Sequence, residues 1–168
     1  MATRKTNPKL RLLQKGWAVI AVDSSQTALQ CLAQQANLSD SNWITDGQLI
    51  LVHQDMKNYE FPKDVKIILA NNSLPYCDPL GFQTIWKKAH ASLATGGRMI
   101  GNFFPVPNDP VVERLQRGLM GVWFTDPAVV TAFLDHVGYQ TEICGYNKYW
   151  FESDPKCIQF IGQKKSDL

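Results

Sequence analysis

Apolar residues occur in two alternating patterns along the chain, and each pattern predicts a different kind of element. The continuous apolar run Trp17–Val22 is typical of a strand that is buried on both faces of a parallel sheet. Similar short runs recur further along the chain. The predicted strands cover residues 17–22, 48–53, 65–70, 98–104, 139–146 and 157–163.

Between these strands, apolar residues recur at helical spacing, and the flanking residues fit helix ends. Proline suits the first helical position, and a serine of the Ser24-Ser25 pair can cap a helix. Glycine is typical of a helix end. The predicted helices begin at Asn7-Pro8, Ser24-Ser25, Asp78-Pro79 and Asp126-Pro127, and three of them end at Gly16, Gly96-Gly97 and Gly138. Their predicted inward faces are Ala28, Leu29, Leu32, Ala33 and Ala36, then Phe82, Ile85, Trp86, Ala89 and Leu93, then Val129, Val130, Phe133 and Val137.

The order of these elements predicts an α/β fold in three layers, with a mostly parallel sheet. The last two strands are separated by a loop of about ten residues, which is too short for a crossover helix and so predicts an antiparallel hairpin. Residues 37–47 form a predicted polar loop, and residues 105–121 form a predicted irregular, lid-like segment. The length of 168 residues fits a single domain.

Composition excludes several functional classes. A net charge of +2 does not favour nucleic acid as a partner, and five basic residues before Asp23 are explained by a solvated arm as well as by an anion site or a transit peptide. No apolar run approaches the roughly 20 residues of a membrane span. The four cysteines and three histidines lack metal-ligand spacing, so we expect no metal and a cytoplasmic protein with reduced thiols.

Four stretches together resemble class I S-adenosylmethionine-dependent methyltransferases: residues 16–25, 52–56, 69–77 and 93–101. The resemblance runs from about Leu10 to Lys164. Its Leu74-Pro75-Tyr76-Cys77 segment is most similar to small bacterial tellurite-resistance-type enzymes. The resemblance implies a Rossmann-like sheet, S-adenosylmethionine as cofactor and a small-molecule methyl acceptor, such as tellurite, selenite or a thiol. It identifies no catalytic base.

The resemblance also implies roles for residues at the predicted strand ends, where ligands lie in doubly wound sheets. A carboxylate at Asp23 can accept hydrogen bonds from both ribose hydroxyls, although Asp23 could equally cap the next helix. Asp55 can meet the adenine amino group while Met56 packs on the ring; the alternative is a turn aspartate above a core methionine. The implied cofactor contacts are Asp23, Ser24, Asp55, Met56, Asn71 and Asn72, and the implied substrate contacts are Ser73, Tyr76 and Cys77.

Several of these residues have simpler alternatives. Asn71, Asn72 and Ser73 could be plain turn formers, although the resemblance places them at the substrate and at the methionine end of the cofactor. Cys77 could be inert packing rather than part of the acceptor pocket. His53 and Trp86 are expected to be core residues without a functional role.

The chain departs from the family at its start. The family's first strand and its G-x-G-x-G loop precede the helix that begins here near Pro8, whereas the first glycine here is Gly16. The resemblance implies that this strand is central, between strands 17–22 and 65–70, so both would expose an edge. Three outcomes are open: a truncated product or misassigned start, a collapsed sheet that joins the two strands, or a swapped homodimer through the exposed edges. A catalytically inactive binding or scaffold module and a nicotinamide dehydrogenase are the alternative functions.

Overall fold

The computed structural model describes residues 7–40, 42–107, 110, 124–147 and 157–166. The chain divides into two compact units, Met1–Tyr59 and Glu60–Leu168. No helix in the described ranges is long and apolar enough to cross a membrane. The single-domain organisation stays a prediction.

The first unit consists of a two-stranded parallel sheet and three helices. Strand β1 (Val19–Asp23) pairs with β2 (Leu49–His53), and the helices are α1 (Pro8–Gln14), α2 (Gln26–Ser39) and α3 (Asn42–Thr45). The helices contribute their apolar stripes to one cluster, since burying that surface is the main stabilising contribution to such a small unit. The buried cluster comprises Leu10, Leu13, Ala21, Leu29, Leu32, Ala36, Trp43 and Leu49.

Three predictions for this unit need correction. The strand begins at Val19 rather than Trp17, whose side chain is 40% exposed. The predicted loop 37–47 is partly helical, because α2 continues to Ser39 and α3 follows. The buried side chain of Trp43 explains the extra turn, since a short helix allows it to join the core. Ala28, predicted to face inward, is exposed.

The second unit is a five-stranded mixed sheet with helices α4 (Pro79–Ser92) and α5 (Pro127–His136). Its strand order is β3-β4-β7-β6, and β5 also pairs with β4. Strands β3 and β5 run parallel to β4, whereas β7 runs antiparallel to both β4 and β6, as the predicted hairpin requires. The strands are β3 (Val65–Ala70), β4 (Leu93–Pro105), β5 (Phe124–Thr125), β6 (Tyr139–Asn147) and β7 (Cys157–Lys164).

An aromatic cluster fills the core of this unit. The Trp86 ring lies 4.9 Å from Phe133 and 5.5 Å from Tyr139, centroid to centroid, in edge-on contacts that aromatic pairs favour. The ring of Phe160 passes over Gly101 so closely that a Cβ atom there would lie 2.8 Å from it. All five residues predicted for the inward face of α4 are buried, which confirms Trp86 as a core residue.

Two predictions for the second unit are wrong. Helix α4 ends at Ser92, and β4 begins immediately, so Gly96 and Gly97 lie within the strand instead of ending the helix. A Cβ at Gly97 would lie 2.8 Å from the Ala94 carbonyl oxygen and 3.1 Å from that of Val65, so this glycine permits a close backbone approach. Val129 is 56% exposed, whereas Leu134 is fully buried in its place.

Other predictions fall partly or wholly outside the described residues. Most of the predicted lid, 105–121, is outside them, as is the hairpin loop at residues 148–156. Within the described ranges, β1 pairs with β2 alone and β3 with β4 alone. The collapsed sheet in which β1 and β3 pair directly stays a prediction, because the two strands belong to different units.

Candidate functional site

The two parallel strands of the first unit end side by side. Asp23 pairs with His53 in the last register position, and the Gln54 backbone N–H donates to the Asp23 carbonyl oxygen at 3.1 Å. Because the strands run in the same direction, the residues that follow them leave from the same edge of the sheet. This edge therefore brings together Asp23 and Ser24 from one strand with Asp55 and Met56 from the other.

Asp23 stabilises the turn after β1 but does not cap the following helix. Its Oδ1 accepts a hydrogen bond from the Ser25 backbone N–H at 2.8 Å, and the Ser25 hydroxyl accepts from Ala28 N–H at 3.2 Å as the actual cap of α2. In the described structure, Oδ2 of Asp23 makes no hydrogen bond. The half-buried carboxylate thus keeps one oxygen for a ligand.

The exposed Ser24 contributes through its backbone. Its carbonyl oxygen lies 3.0 Å from Nε2 of His53. His53 is itself exposed, so the prediction of a core histidine is wrong: it is the last residue of β2, where the strand leaves the sheet. This contact links the ends of the two strands.

Asp55 forms a similar local turn. Its Oδ1 accepts from the Lys57 backbone N–H at 2.8 Å, and its carbonyl oxygen accepts from Asn58 N–H at 3.0 Å. Asp55 is exposed and Met56 is half-buried. The arrangement matches the alternative of a turn aspartate, while the contacts with adenine stay a prediction.

The second unit holds the other predicted residues in one segment after β3. Asn72 has a left-handed backbone, with φ of +53°, and the segment continues into a 3₁₀ helix over Leu74–Tyr76. The Ser73 hydroxyl donates to the Asn71 carbonyl oxygen at 3.2 Å. Left-handed backbone is comparatively accessible to asparagine, which agrees with the turn-former alternative.

Asn102 of β4, which the sequence analysis did not identify, supports this segment. Its Oδ1 accepts from the Asn72 backbone N–H at 2.7 Å, and its Nδ2 donates to Asn72 Oδ1 at 2.9 Å. Asn102 is only 1% exposed. The available signal was an amide side chain inside an otherwise apolar predicted strand, since a buried polar group needs a partner.

Tyr76 and Cys77 occupy opposite environments. Tyr76 is 48% exposed, and its ring meets Phe104 nearly at a right angle with centroids 5.8 Å apart. Cys77 is fully buried, with its Sγ 3.7 Å from the Ser73 carbonyl oxygen. The burial favours inert packing for Cys77, and it leaves Tyr76 as the accessible member of the pair.

The clearest electrostatic pair of the second unit lies toward the other end of β4. Arg98 binds Glu142 through two hydrogen bonds of 2.9 and 2.7 Å, which raise the pKa of the arginine and lower the pKa of the glutamate. Burial raises the pKa of Tyr139 and of the Cys157 thiol. In the described ranges, no group of three or more His, Cys, Asp or Glu side chains could hold a metal.

An open groove of about 680 Å³ lies between α5 and β6. The Asp135–Lys165 ion pair is part of its lining, and none of the predicted site residues is. The groove therefore does not contribute to the candidate site. The strand ends, two in the first unit and one in the second, remain the only locations where the predicted residues gather within the described ranges.

The donor and acceptor groups present fit parts of S-adenosylmethionine. A carboxylate oxygen at Asp23 matches a ribose diol, and an exposed carboxylate at Asp55 matches an amino group. The amide segment Asn71–Ser73 matches a polar end of a ligand. Asp23 and Asp55 belong to the first unit, and Asn71–Ser73 belongs to the second.

Comparison with known proteins identifies the fold. No family model and no curated protein matches the sequence. Among solved structures, the chain is similar to a methyltransferase from Methanosarcina mazei that depends on S-adenosylmethionine, with a TM-score of 0.73, 14% identity and coverage of 94% of this chain and 87% of that one. It is also similar to magnesium protoporphyrin IX methyltransferase from Synechocystis with bound S-adenosylhomocysteine. The TM-score is 0.70 and the identity 15%, and the match covers 94% of this chain and 68% of that one.

A third similar structure is an N-methyltransferase from Bradyrhizobium japonicum in complex with S-adenosylhomocysteine, with a TM-score of 0.64, 12% identity and coverage of 86% of this chain and 65% of that one. The chain spans 65% of that protein and 53% of another matched chain. At these identities the similarity shows the fold, which is that of Rossmann-like methyltransferases.

Proposed function

We propose that the protein is an S-adenosylmethionine-dependent methyltransferase that acts on a small molecule. The observation that carries the proposal is the pair of adjacent parallel strand ends in the first unit, each followed by an aspartate, in a fold shared with methyltransferases crystallised with S-adenosylhomocysteine. Ligands bind at such strand ends in doubly wound sheets. The two carboxylates are the groups that a ribose diol and an adenine amine require.

Each candidate residue then has a role in binding. Asp23 accepts from the ribose hydroxyls, beside Ser24, and Asp55 accepts from the adenine amino group while Met56 packs on the ring. Asn71 and Asn72 meet the methionine end of the cofactor. When bound, the cofactor supplies an electrophilic methyl group. The protein contributes proximity and orientation, which can supply much of the rate enhancement.

Ser73 and Tyr76 bind the methyl acceptor in this proposal, and Cys77 packs behind them. The acceptor we propose is a soft nucleophile such as tellurite, selenite or a thiol, because tellurite, selenite and the thiolate that a thiol forms in water attack carbon without a base from the protein. The similarity of Leu74–Cys77 to tellurite-resistance-type enzymes supports this choice. We further propose a cytoplasmic location and a homodimer formed through the open edges of β1 and β3.

Titration calorimetry with S-adenosylmethionine and S-adenosylhomocysteine tests the proposal. We expect binding in the micromolar range, roughly −8 kcal/mol. Asp23→Ala should weaken binding by about 1–3 kcal/mol, because a charged hydrogen-bond partner is lost. The matched control is Asp46→Ala, which removes an exposed carboxylate from the same unit.

Two results would contradict the proposal. No binding by folded wild-type protein would leave the catalytically inactive binding module as the better hypothesis. Equal affinity of the wild type and Asp23→Ala would assign Asp23 to the turn after β1 alone.

A further inference from the structure

The hydrogen bonds between Asn72 and Asn102 fix the orientation of both side-chain amides. A backbone N–H can only donate, so the Asn102 atom that faces Asn72 N–H at 2.7 Å must be the oxygen. The other Asn102 atom is then the NH₂ group, which faces Asn72 at 2.9 Å. The Asn72 atom at that position must accept, so it is Oδ1. The network thus determines both assignments, which coordinates alone often leave open.

This orientation determines what Asn72 offers to a ligand. Its Oδ1 is engaged by a side chain that is 1% exposed, whereas Asn72 itself is exposed. The remaining group of its amide is Nδ2, which makes no hydrogen bond in the described part of the chain. Asn72 therefore presents two N–H donors.

We propose that Asn102 is a positioning residue that holds Asn72 as a hydrogen-bond donor, and that the ligand group meeting Asn72 is an acceptor oxygen of a carboxylate or an oxyanion. The inference rests on the proposed function. It specifies the direction of the hydrogen bond between Asn72 and the ligand. An amine, which has hydrogens to donate, is not the group that Asn72 recognises. Because the pair also holds the left-handed backbone of Asn72, the donors are oriented before a ligand binds.

The acceptor oxygen has two sources in a methyltransferase: the carboxylate at the methionine end of the cofactor or an oxyanion substrate. S-adenosylhomocysteine contains that carboxylate, whereas 5′-methylthioadenosine lacks the whole amino-acid end, its carboxylate and its ammonium group together. Comparing the affinities of the two compounds isolates the contact with that end, and Asn72→Asp separates its two groups, because a carboxylate at residue 72 repels the ligand carboxylate and attracts the ammonium group. Titration of selenite into the complex with S-adenosylhomocysteine tests the second source.

The decisive variant is Asn72→Asp, which keeps the acceptor for Asn102 Nδ2 and replaces the two donors with a carboxylate oxygen. We expect affinity for S-adenosylhomocysteine to fall at least tenfold while affinity for 5′-methylthioadenosine stays unchanged. Asn72→Gly, in which glycine adopts a φ of +53° without strain, should lower the affinity for S-adenosylhomocysteine by a smaller factor. Gln83→Glu makes the same chemical change at an exposed position on α4 and should leave both affinities unchanged.

Asn102→Asp tests the positioning step. An aspartate can accept from Asn72 N–H but cannot donate to Oδ1, so the Asn72 amide should turn its NH₂ group inward. We expect the same selective loss for S-adenosylhomocysteine as in Asn72→Asp, and thermal unfolding checks that the variant is folded. An equal loss for both nucleosides would show a general structural role and overturn the positioning proposal.

If Asn72→Asp keeps the ratio of the two nucleoside affinities and weakens selenite binding, the oxygen belongs to the substrate, which supports the donor assignment. If Asn72→Asp changes neither the ratio of the two nucleoside affinities nor the affinity for selenite, the donor proposal is wrong. If wild-type protein binds neither nucleoside, the proposed function fails and the ligand assignment fails with it.

The amide pair is checked separately without any ligand. Hydrogen exchange of the Asn102 side-chain amide should be slow in the wild type and in Asn72→Asp and faster in Asn72→Gly, because glycine removes the acceptor that Asn72 Oδ1 provides at 2.9 Å. Fast exchange in the wild type would overturn the positioning role itself. A failure of the function and a failure of the positioning are therefore distinguishable.

Discussion

The strand ends of the two units are stabilised in different ways. In the first unit, Asp23 and Asp55 each bind a backbone N–H only two residues ahead, so each turn is complete within its own segment. In the second unit, Asn72 depends on Asn102, which is 30 residues away and buried in another strand. A local turn tolerates change in the rest of the fold, whereas the Asn72 segment has its geometry only where β3 and β4 are correctly paired.

The difference has an energetic basis. A turn hydrogen bond at the surface is exchanged readily for one with water, so it contributes little to stability. A hydrogen bond to a buried amide has no such replacement, and losing one partner leaves the other desolvated. The second unit should therefore be the more sensitive to substitutions at its candidate site.

The largest expected effect is that of Asn102→Leu, which keeps the approximate size of the side chain but removes both hydrogen bonds to Asn72. We expect the free energy of unfolding to fall by about 1–3 kcal/mol. Asp55→Ala, which removes one exposed turn hydrogen bond in the first unit, should cost no more than about 0.5 kcal/mol. Denaturant titration measures both values, and equal losses would contradict the comparison.

A smaller effect is expected for Ser25→Ala in the first unit. Removing the hydroxyl that accepts from Ala28 N–H should cost about 1 kcal/mol, which is typical for loss of a helix N-cap. Amide exchange at Ala28 should accelerate, because its hydrogen bond is lost. Asp23→Ala serves as the matched variant. If it accelerated exchange at Ala28 more than Ser25→Ala did, Asp23 would be the cap of α2.

The smallest effect concerns charge. Three ion pairs between described residues belong to the second unit: Lys88–Glu60, Arg98–Glu142 and Lys165–Asp135. Hydrogen bonds from Arg98 and Lys165 lower the pKa of Glu142 and of Asp135. Groups with a lowered pKa stabilise the fold above the unfolded-state pKa of about 4, and this contribution is lost as the pH falls through the lower folded-state pKa.

Acid should therefore accelerate amide exchange in the second unit more than in the first, after correction for intrinsic rates. The effect is small because exposed ion pairs contribute little and are screened by salt. Glu142→Gln should reduce the difference between the units. A first unit that is equally sensitive to acid would contradict this prediction.

The distinction between local hydrogen bonds and contacts with distant segments also explains what could be predicted from the sequence. Asp78 and Asp126 were predicted as helix starts, and both cap their helices through local hydrogen bonds. The predicted end of α4 at Gly96-Gly97 was wrong, because Gly97 lies where the carbonyl oxygens of Ala94 and Val65 come close, and strand pairing brings Val65 there. A glycine that permits close packing and one that ends a helix look alike in a sequence.

In the candidate site, too, local features could be predicted from the sequence, whereas contacts between distant segments could not. The positions of Asp23 and Asp55 at strand ends could be predicted from apolar runs that stop at an acidic residue, although β1 ends at Asp23 itself. The support from Asn102 could not, since a single buried asparagine does not reveal its partner. The contact of Tyr76 with Phe104 was missed for the same reason, as it joins segments whose pairing the chain alone does not specify.

The aromatic cluster around Trp86 gives the second unit a spectroscopic signature of its own. Packed rings held at fixed angles produce near-ultraviolet circular dichroism, and Trp86 contacts Phe82, Phe133, Tyr139 and Phe160 within one core. Trp43 lies in the core of the first unit. Replacing Trp86 or Trp43 with phenylalanine would assign the optical signals of the two cores, so that the loss of packing in each could be followed separately in one sample.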